Sequence, residues 1–167
     1  NWKLRPFEGP STPEGANIRM YDGSNKVVEN IQVGDVVKSY QPIGMPDSDL
    51  NYLNYSATDL SGSFASGSVV VSKSSQTHSL YFLVNNTYKV PQFGTVFVDR
   101  LGLGVFQFVK GFQLQNGDKL FNQDGSWIEV TSVSEVNQNQ TFYSLDVEDI
   151  DTYFSSDVLV HNLPKKF

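Results

Sequence analysis

Cysteine is absent from the 167 residues, which excludes disulfide stapling and thiolate metal ligation. Histidine occurs only twice, at His78 and His161, with no HExxH-like pairing. No metal site or cofactor is therefore expected. Basic residues are outnumbered, with 12 Lys and Arg against 18 Asp and Glu and a net charge of −6. The one basic cluster is Lys165-Lys166, so nucleic acid is not an expected partner. No apolar run reaches the roughly 20 residues of a membrane helix, and no signal peptide is recognisable, so no membrane role is expected. Helical periodicity is missing too, since no window keeps apolar residues at i, i+3 and i+4.

What the chain does contain favours strands. Hydrophobic residues make up 39% and aromatics 13%. Most are Val, Leu, Ile, Phe and Tyr, in short runs bounded by Gly, Asn and Asp. Length and composition fit one all-β domain with a sizeable core. The opening "NWKLRPFEGPSTPEG" reads as an extended lead-in. "ANIRMYDGSNKVVENIQVGDVVKSY" then gives strand, Asp22-Gly23 turn, strand, Gly34-Asp35 turn and strand. The polar stretch from Gln41 to Ser68 reads as a long loop, which in a compact domain is usually an insertion, functional or mobile. Strand character returns in "VVVSKSSQTHSLYFLV", "VFVDRLGLGVFQFV", "DKLF", "WIEVTSVSEV" and "TFYSLDVEDIDTYF". Three Asn-x-Ser/Thr triplets begin at Asn54, Asn85 and Asn139, and carry little weight in so Asn- and Ser-rich a chain.

One internal echo stands out. "IQVGDVV" at 31–37 is answered by "LQNGDKL" at 114–120, and "YDG" at 21–23 by "QDG" at 123–125. The order of the two elements is reversed, so this is no tandem repeat. Two readings stay open: two β-subdomains related by a pseudo-dyad, or one common turn used twice.

Three places can carry chemistry. The run Val158-Leu159-Val160 leads straight into His161-Asn162. An Asn side-chain nitrogen can attack its own main-chain carbonyl, closing a succinimide and expelling the next residue's amine. That reaction needs an oriented carbonyl and an acid for the leaving nitrogen. His161 is a candidate acid, and Pro164 holds Leu163 extended. In "SSQTHSLYFLV", Ser75 and His78, if they lie in a turn, can converge on one backbone amide, the hydroxyl polarising it and the imidazole protonating its nitrogen. In "GPSTPEGANIRMYDGS", the Ser11 hydroxyl can attack the carbonyl of Pro10, converting an amide to an ester, provided a base or a strained amide assists. In isolation each segment also reads as ordinary turn or strand-end sequence.

Taken together, in this order, these pieces resemble the Hint superfamily of inteins, bacterial intein-like domains and hedgehog autoprocessing domains. The resemblance runs from Ser11 to Asn162. Ser11 stands at the nucleophile position, Gly15-Ala16 at the Gly-Thr position, and Asn17 to Gly23 complete the strand and turn. "ENIQVGDVV" matches the acidic-x-Ile-x-x-Gly-Asp-x-Val element, and Ser75-Gln76-Thr77-His78 the Thr-x-x-His block. "FYSLDVEDIDTYFSSDVLVHN" looks like the C-terminal blocks. The resemblance implies a horseshoe-shaped all-β fold of two pseudo-two-fold-related β-subdomains with the ends of the domain close together. It divides the chain into an N-terminal flank at 1–10, a domain at 11–162 without an endonuclease insertion, and a C-terminal flank at 163–167. It implies single-turnover self-processing at Pro10-Ser11 and Asn162-Leu163, with the domain's own flanks as partners in cis, a monomeric state and an intracellular location with the host protein.

The departures qualify what the resemblance implies. Ser11 stands where Cys is commoner, and Ser75 where Thr is usual. Asp151 sits where many inteins place a His, and Ser144 where many place an Asp, so Asp151 is a weaker candidate helper of Asn162. Leu163 offers no nucleophile to accept an acyl group. Release of the flanks, with low-yield ligation by amine attack, is then expected rather than full splicing. The rival expectation is a catalytically silent β module that binds or scaffolds. A sterol-transferring domain would leave His161-Asn162 without a role, and a protease acting on other chains would not need its nucleophile beside its own substrate bond.

Overall fold

The computed structural model describes residues 11–46 and 51–161. These residues form strands and single turns of 3-10 helix, with no α-helix among them. A four-stranded sheet runs β1 (Thr12–Pro13), β13 (Gln140–Val147), β5 (Phe64–His78), β4 (Val36–Gln41). A larger sheet runs β11 (Trp127–Glu129), β10 (Lys119–Phe121), β8 (Thr95–Asp99), β15 (Val158–His161), β14 (Thr152–Ser155), β2 (Asn17–Arg19), β3 (Asn25–Val27), with β9 (Phe106–Lys110) also on β8. β12 (Val133–Val136), β6 (Tyr81–Val84) and β7 (Tyr88–Pro91) make a third sheet.

The polar stretch expected as a loop to Ser68 ends earlier. From Phe64 the chain is already strand, with Phe64 paired to Gln41 and Gly67 to Lys38. β5 gains hydrogen-bonding neighbours on both sides, β4 for its first half and β13 for its second. That pairing overrides a local Ser and Gly content that disfavours strand.

The sequence echo is real in three dimensions. In each copy a 3-10 turn, Val28–Asn30 or Gly111–Gln113, leads into the Gly-Asp loop. Gly34 and Gly117 take φ of 99° and 97°, a region open to glycine. The two carboxylates then have one bond in common. Asp35 accepts from the N–H of Gln32 at 2.9 Å, and Asp118 from the N–H of Gln115 at 3.0 Å. Each Asp also ties its loop to a valine, Val70 in one copy and Val130 in the other. The Asp-Gly turns repeat as well: Ser24 bonds Asp22 through N–H and Oγ, and Ser126 bonds Asp124 in the same way. Of the two readings, a common turn used twice does not account for so complete a repeat, and two related modules do.

The core has two parts. An aliphatic cluster contains Ile18, Val28, Ile31, Val37, Val70, Leu120, Leu145 and Tyr153. An aromatic one contains Tyr52, Phe97, Phe108, Phe121 and Phe154 with Met45 and Leu159. β14 and β15 lie between them and are buried on both faces.

Candidate functional site

Alternation along the doubly buried strands decides which side chain meets which core. Val96 and Val98 of β8 and Val158 and Val160 of β15 enter the aliphatic cluster, while Phe97 and Leu159 enter the aromatic one. By the same period of two, His161 and its register partner Thr95 point to the aromatic side. The imidazole is 5% exposed. Tyr52 stacks on it with centroids 3.5 Å apart and planes 4° from parallel, and Phe108 meets it edge-on at 5.4 Å.

Ser11 arrives on the other face of β15. It is buried, its N–H donates to the carbonyl of Tyr143 at 3.2 Å, and its Oγ donates to the carbonyl of His161 at 3.2 Å. Positions 150 residues apart are thus joined by one hydrogen bond. The next residue anchors this arrangement, because the Thr12 hydroxyl shares a 3.0 Å bond with the phenol of Tyr153. Burial pushes that phenol up to about 12, with the Thr12 bond offsetting part of the shift, so it stays neutral near neutral pH. Beside Ser11 opens a cavity of about 220 Å³, lined by Val96, Leu120, Val158 and Val160, with Glu14 and Lys89 also on its wall.

β14 is fixed against β4 by a compact polar knot. Ser39 donates to the Thr152 carbonyl at 2.7 Å, and Thr152 Oγ1 donates to the Tyr40 carbonyl at 2.7 Å while accepting from its N–H at 3.0 Å. Thr152 is the register partner of His161, so the half-buried Asp151 immediately precedes that pair. Ser144, at the position where the resemblance leads one to expect an acid, is buried on β13. Pro10, Asn162 and Leu163 lie outside the described residues.

Ser75 and His78 do not join this group. They were expected in a turn ahead of a strand, but both belong to the 15-residue β5. Side chains three apart on an extended strand point to opposite faces, so the pair cannot converge on one amide. β13 also separates β5 from β1. Ser75 is exposed. The His78 imidazole bonds the Gln76 side chain at 3.1 Å and rests edge-on against Phe142. Its cavity is lined by Gln76, Thr77, Ser79, Leu80, Gln92 and Phe93, and reaches neither Ser11 nor His161. Burial holds this imidazole below its ordinary pKa.

Sequence reasoning missed the residues that surround His161. Thr95 and Phe108 carry no local signal, being ordinary strand residues. Tyr52 had one: it and Tyr55 are large aromatics in an otherwise polar stretch, which marks a segment that packs rather than floats.

No family model matches the chain, and no curated protein does. Solved structures do match. A bacterial intein-like domain from Clostridium thermocellum superposes with a TM-score of 0.68 at 21% identity, covering 92% of this chain and 99% of that one. A DnaB intein from Synechocystis sp. PCC 6803 gives 0.66 at 10% identity, with 92% and 99% covered. The TvoVMA intein gives 0.66 at 12%, with 92% and 98% covered. At these identities the likeness shows the fold, and the chain has the all-β Hint fold that inteins share.

Proposed function

We propose that this Hint domain processes its own chain, with residues 11–162 as the domain and 1–10 and 163–167 as the flanks it acts on. The observation that carries the proposal is the hydrogen bond from Ser11 Oγ to the His161 carbonyl. It joins Ser11, the candidate nucleophile of one scissile bond, to the residue that precedes in sequence the asparagine of the other.

At the first bond the Ser11 oxygen attacks the Pro10 carbonyl carbon. The Pro10–Ser11 C–N bond breaks, the hydroxyl proton passes to the freed Ser11 amine, and an ester remains. Water or an amine then opens the ester, and the cavity beside Ser11 offers room for either. At the second bond Asn162 Nδ2 attacks its own carbonyl carbon, losing a proton. The bond to Leu163 breaks, and the Leu163 nitrogen takes up a proton from His161, which the proton lost by Nδ2 replaces. The products are a succinimide and a free amine, and no water is consumed. Asp151, next to the Thr152–His161 pair, is proposed as a helper at this end. Leu163 accepts no acyl group, so the two ends are released rather than joined efficiently. Ser75 and His78 are left out of this assignment because of where β5 carries them.

Mass spectrometry tests it. On incubation of the full chain, hydroxylamine should release residues 1–10. Loss of 163–167 should leave a fragment one water lighter than simple hydrolysis gives, and Asn162→Ala should abolish that loss. A Ser11→Cys variant that keeps its full mass under thiol and heat would refute self-processing and leave a silent β module.

A further inference from the structure

Tyr52 belongs to the stretch between β4 and β5, which sequence alone marks as insertion or mobile loop. The structure seats it in the aromatic core, where it is 2% exposed among Phe97, Phe108, Phe154 and Leu159. The segment around it is tied down independently. The Tyr55 hydroxyl donates to the Ile43 carbonyl at 2.5 Å, and Ala57 exchanges both backbone hydrogen bonds with Phe106 of β9.

From this seat Tyr52 makes two contacts that bear on His161. Its ring lies flat on the imidazole, 4° from parallel with centroids 3.5 Å apart. Its hydroxyl meets Thr95 Oγ1 at 3.3 Å, and Thr95 is the strand residue paired with His161. Phe108 stands perpendicular to both rings beside the stack, at 5.6 Å from Tyr52 and 5.4 Å from His161. A histidine at the end of a strand has rotation about χ1 and χ2 to lose before it can hold one orientation. Here the face of the imidazole is covered by a parallel ring and its rim is met by a perpendicular one, and both contacts resist rotation of the imidazole plane.

We infer that Tyr52 is a positioning residue for the C-terminal reaction: supplied by the β4–β5 segment, it fixes the plane of the His161 imidazole so that the ring can reach the leaving nitrogen of the Asn162–Leu163 bond. This rests on the self-processing reading proposed above. Proton delivery over hydrogen-bond distance depends steeply on such placement. Ser11 meets the His161 backbone carbonyl, from the opposite face of β15. The clamp therefore acts on one end of the domain and not on the other.

The experiment compares the full chain with Tyr52→Leu, Tyr52→Phe and His161→Ala, following release of 163–167 and hydroxylamine release of 1–10 by mass spectrometry. Proton NMR of the His161 ring is recorded on each variant that keeps the imidazole. Tyr52→Leu should slow C-terminal release at least tenfold and N-terminal release less than twofold. Tyr52→Phe, which keeps the stack and loses the hydroxyl, should slow C-terminal release less than threefold. The His161 ring protons, shielded by the stacked face, should move downfield in Tyr52→Leu and stay in place in Tyr52→Phe. Equal slowing at both ends, unchanged C-terminal release in Tyr52→Leu, or unmoved ring signals would each overturn the inference. If His161→Ala releases 163–167 as fast as the full chain, or if the full chain releases nothing, the self-processing reading fails instead. The ring signals still decide whether Tyr52 holds the imidazole.

Discussion

The two Gly-Asp loops allow the cost of removing a buried carboxylate to be compared, because the same Gly-Asp turn with its backbone N–H bond occurs at two depths. Asp118 has a fully buried side chain and accepts three bonds: from the N–H of Leu101 at 2.9 Å, the N–H of Gln115 at 3.0 Å and the Arg100 guanidinium at 3.1 Å. Asp35 is 22% exposed and accepts two, from Lys26 at 2.8 Å and the N–H of Gln32 at 2.9 Å, with Lys26 itself 37% exposed. Asp118→Ala leaves two backbone donors without their acceptor and a guanidinium without its counter-charge. Breaking a buried pair in this way costs about 3–5 kcal/mol. At Asp35 water can reach the groups left behind, so Asp35→Ala should cost about 1–2 kcal/mol. In a domain of this size the first substitution should lower Tm by about 6–20 °C and the second by about 2–8 °C. Urea unfolding followed by tryptophan fluorescence measures both, and an unchanged slope in urea confirms that stability alone has moved. If Asp35→Ala costs as much as Asp118→Ala, burial is not what separates the two loops and the reasoning fails.

Two further outcomes follow from the placement of the ionisable groups. His78→Ala and Ser75→Ala should each change the rate of N-terminal release, read by mass spectrometry with hydroxylamine, by less than twofold, and a loss of tenfold or more would restore them to the reaction. In a pH series, His78 favours folding while neutral. Its contribution is complete above about 6.5 and is lost as pH falls from there through its lowered folded value. Asp35 is held low by the Lys26 bond first and then by the Gln32 N–H; Asp22 and Asp124 are held low chiefly by the hydroxyls of Ser24 and Ser126. Their contributions are present above about 3.9 and vanish as pH drops through the depressed values. Thermal melts should therefore decline gently below about pH 6.5 and steeply below about pH 4. A melting temperature that climbs on acidification from pH 7 to 5 would contradict the sign worked out here.

What could be read from the sequence was what is settled locally. Gly34-Asp35 and Gly117-Asp118 announce their loops by turn chemistry, and the Asp-Gly pairs do the same, so the echo was visible before any pairing was known. The all-β class followed from β-branched and aromatic runs in short segments. Pairing partners, in contrast, are chosen by the whole fold. Phe64 to Ser68 looks like loop until β4 supplies hydrogen bonds along it. The same extension of β5 carries Ser75 and His78 to opposite faces of a strand, where their spacing had suggested a turn. Tyr52 and Thr95 are 43 positions apart, and nothing in either neighbourhood indicates that they meet at His161.

The contact between Ser11 and His161 also says how such a domain can sit inside another polypeptide. Ser11, before the first strand, and His161, at the end of the last, are both buried and meet through one hydrogen bond, so the described chain closes on itself at one place in the fold. The loop-closure entropy of bringing together positions 150 residues apart is met by the domain's own folding.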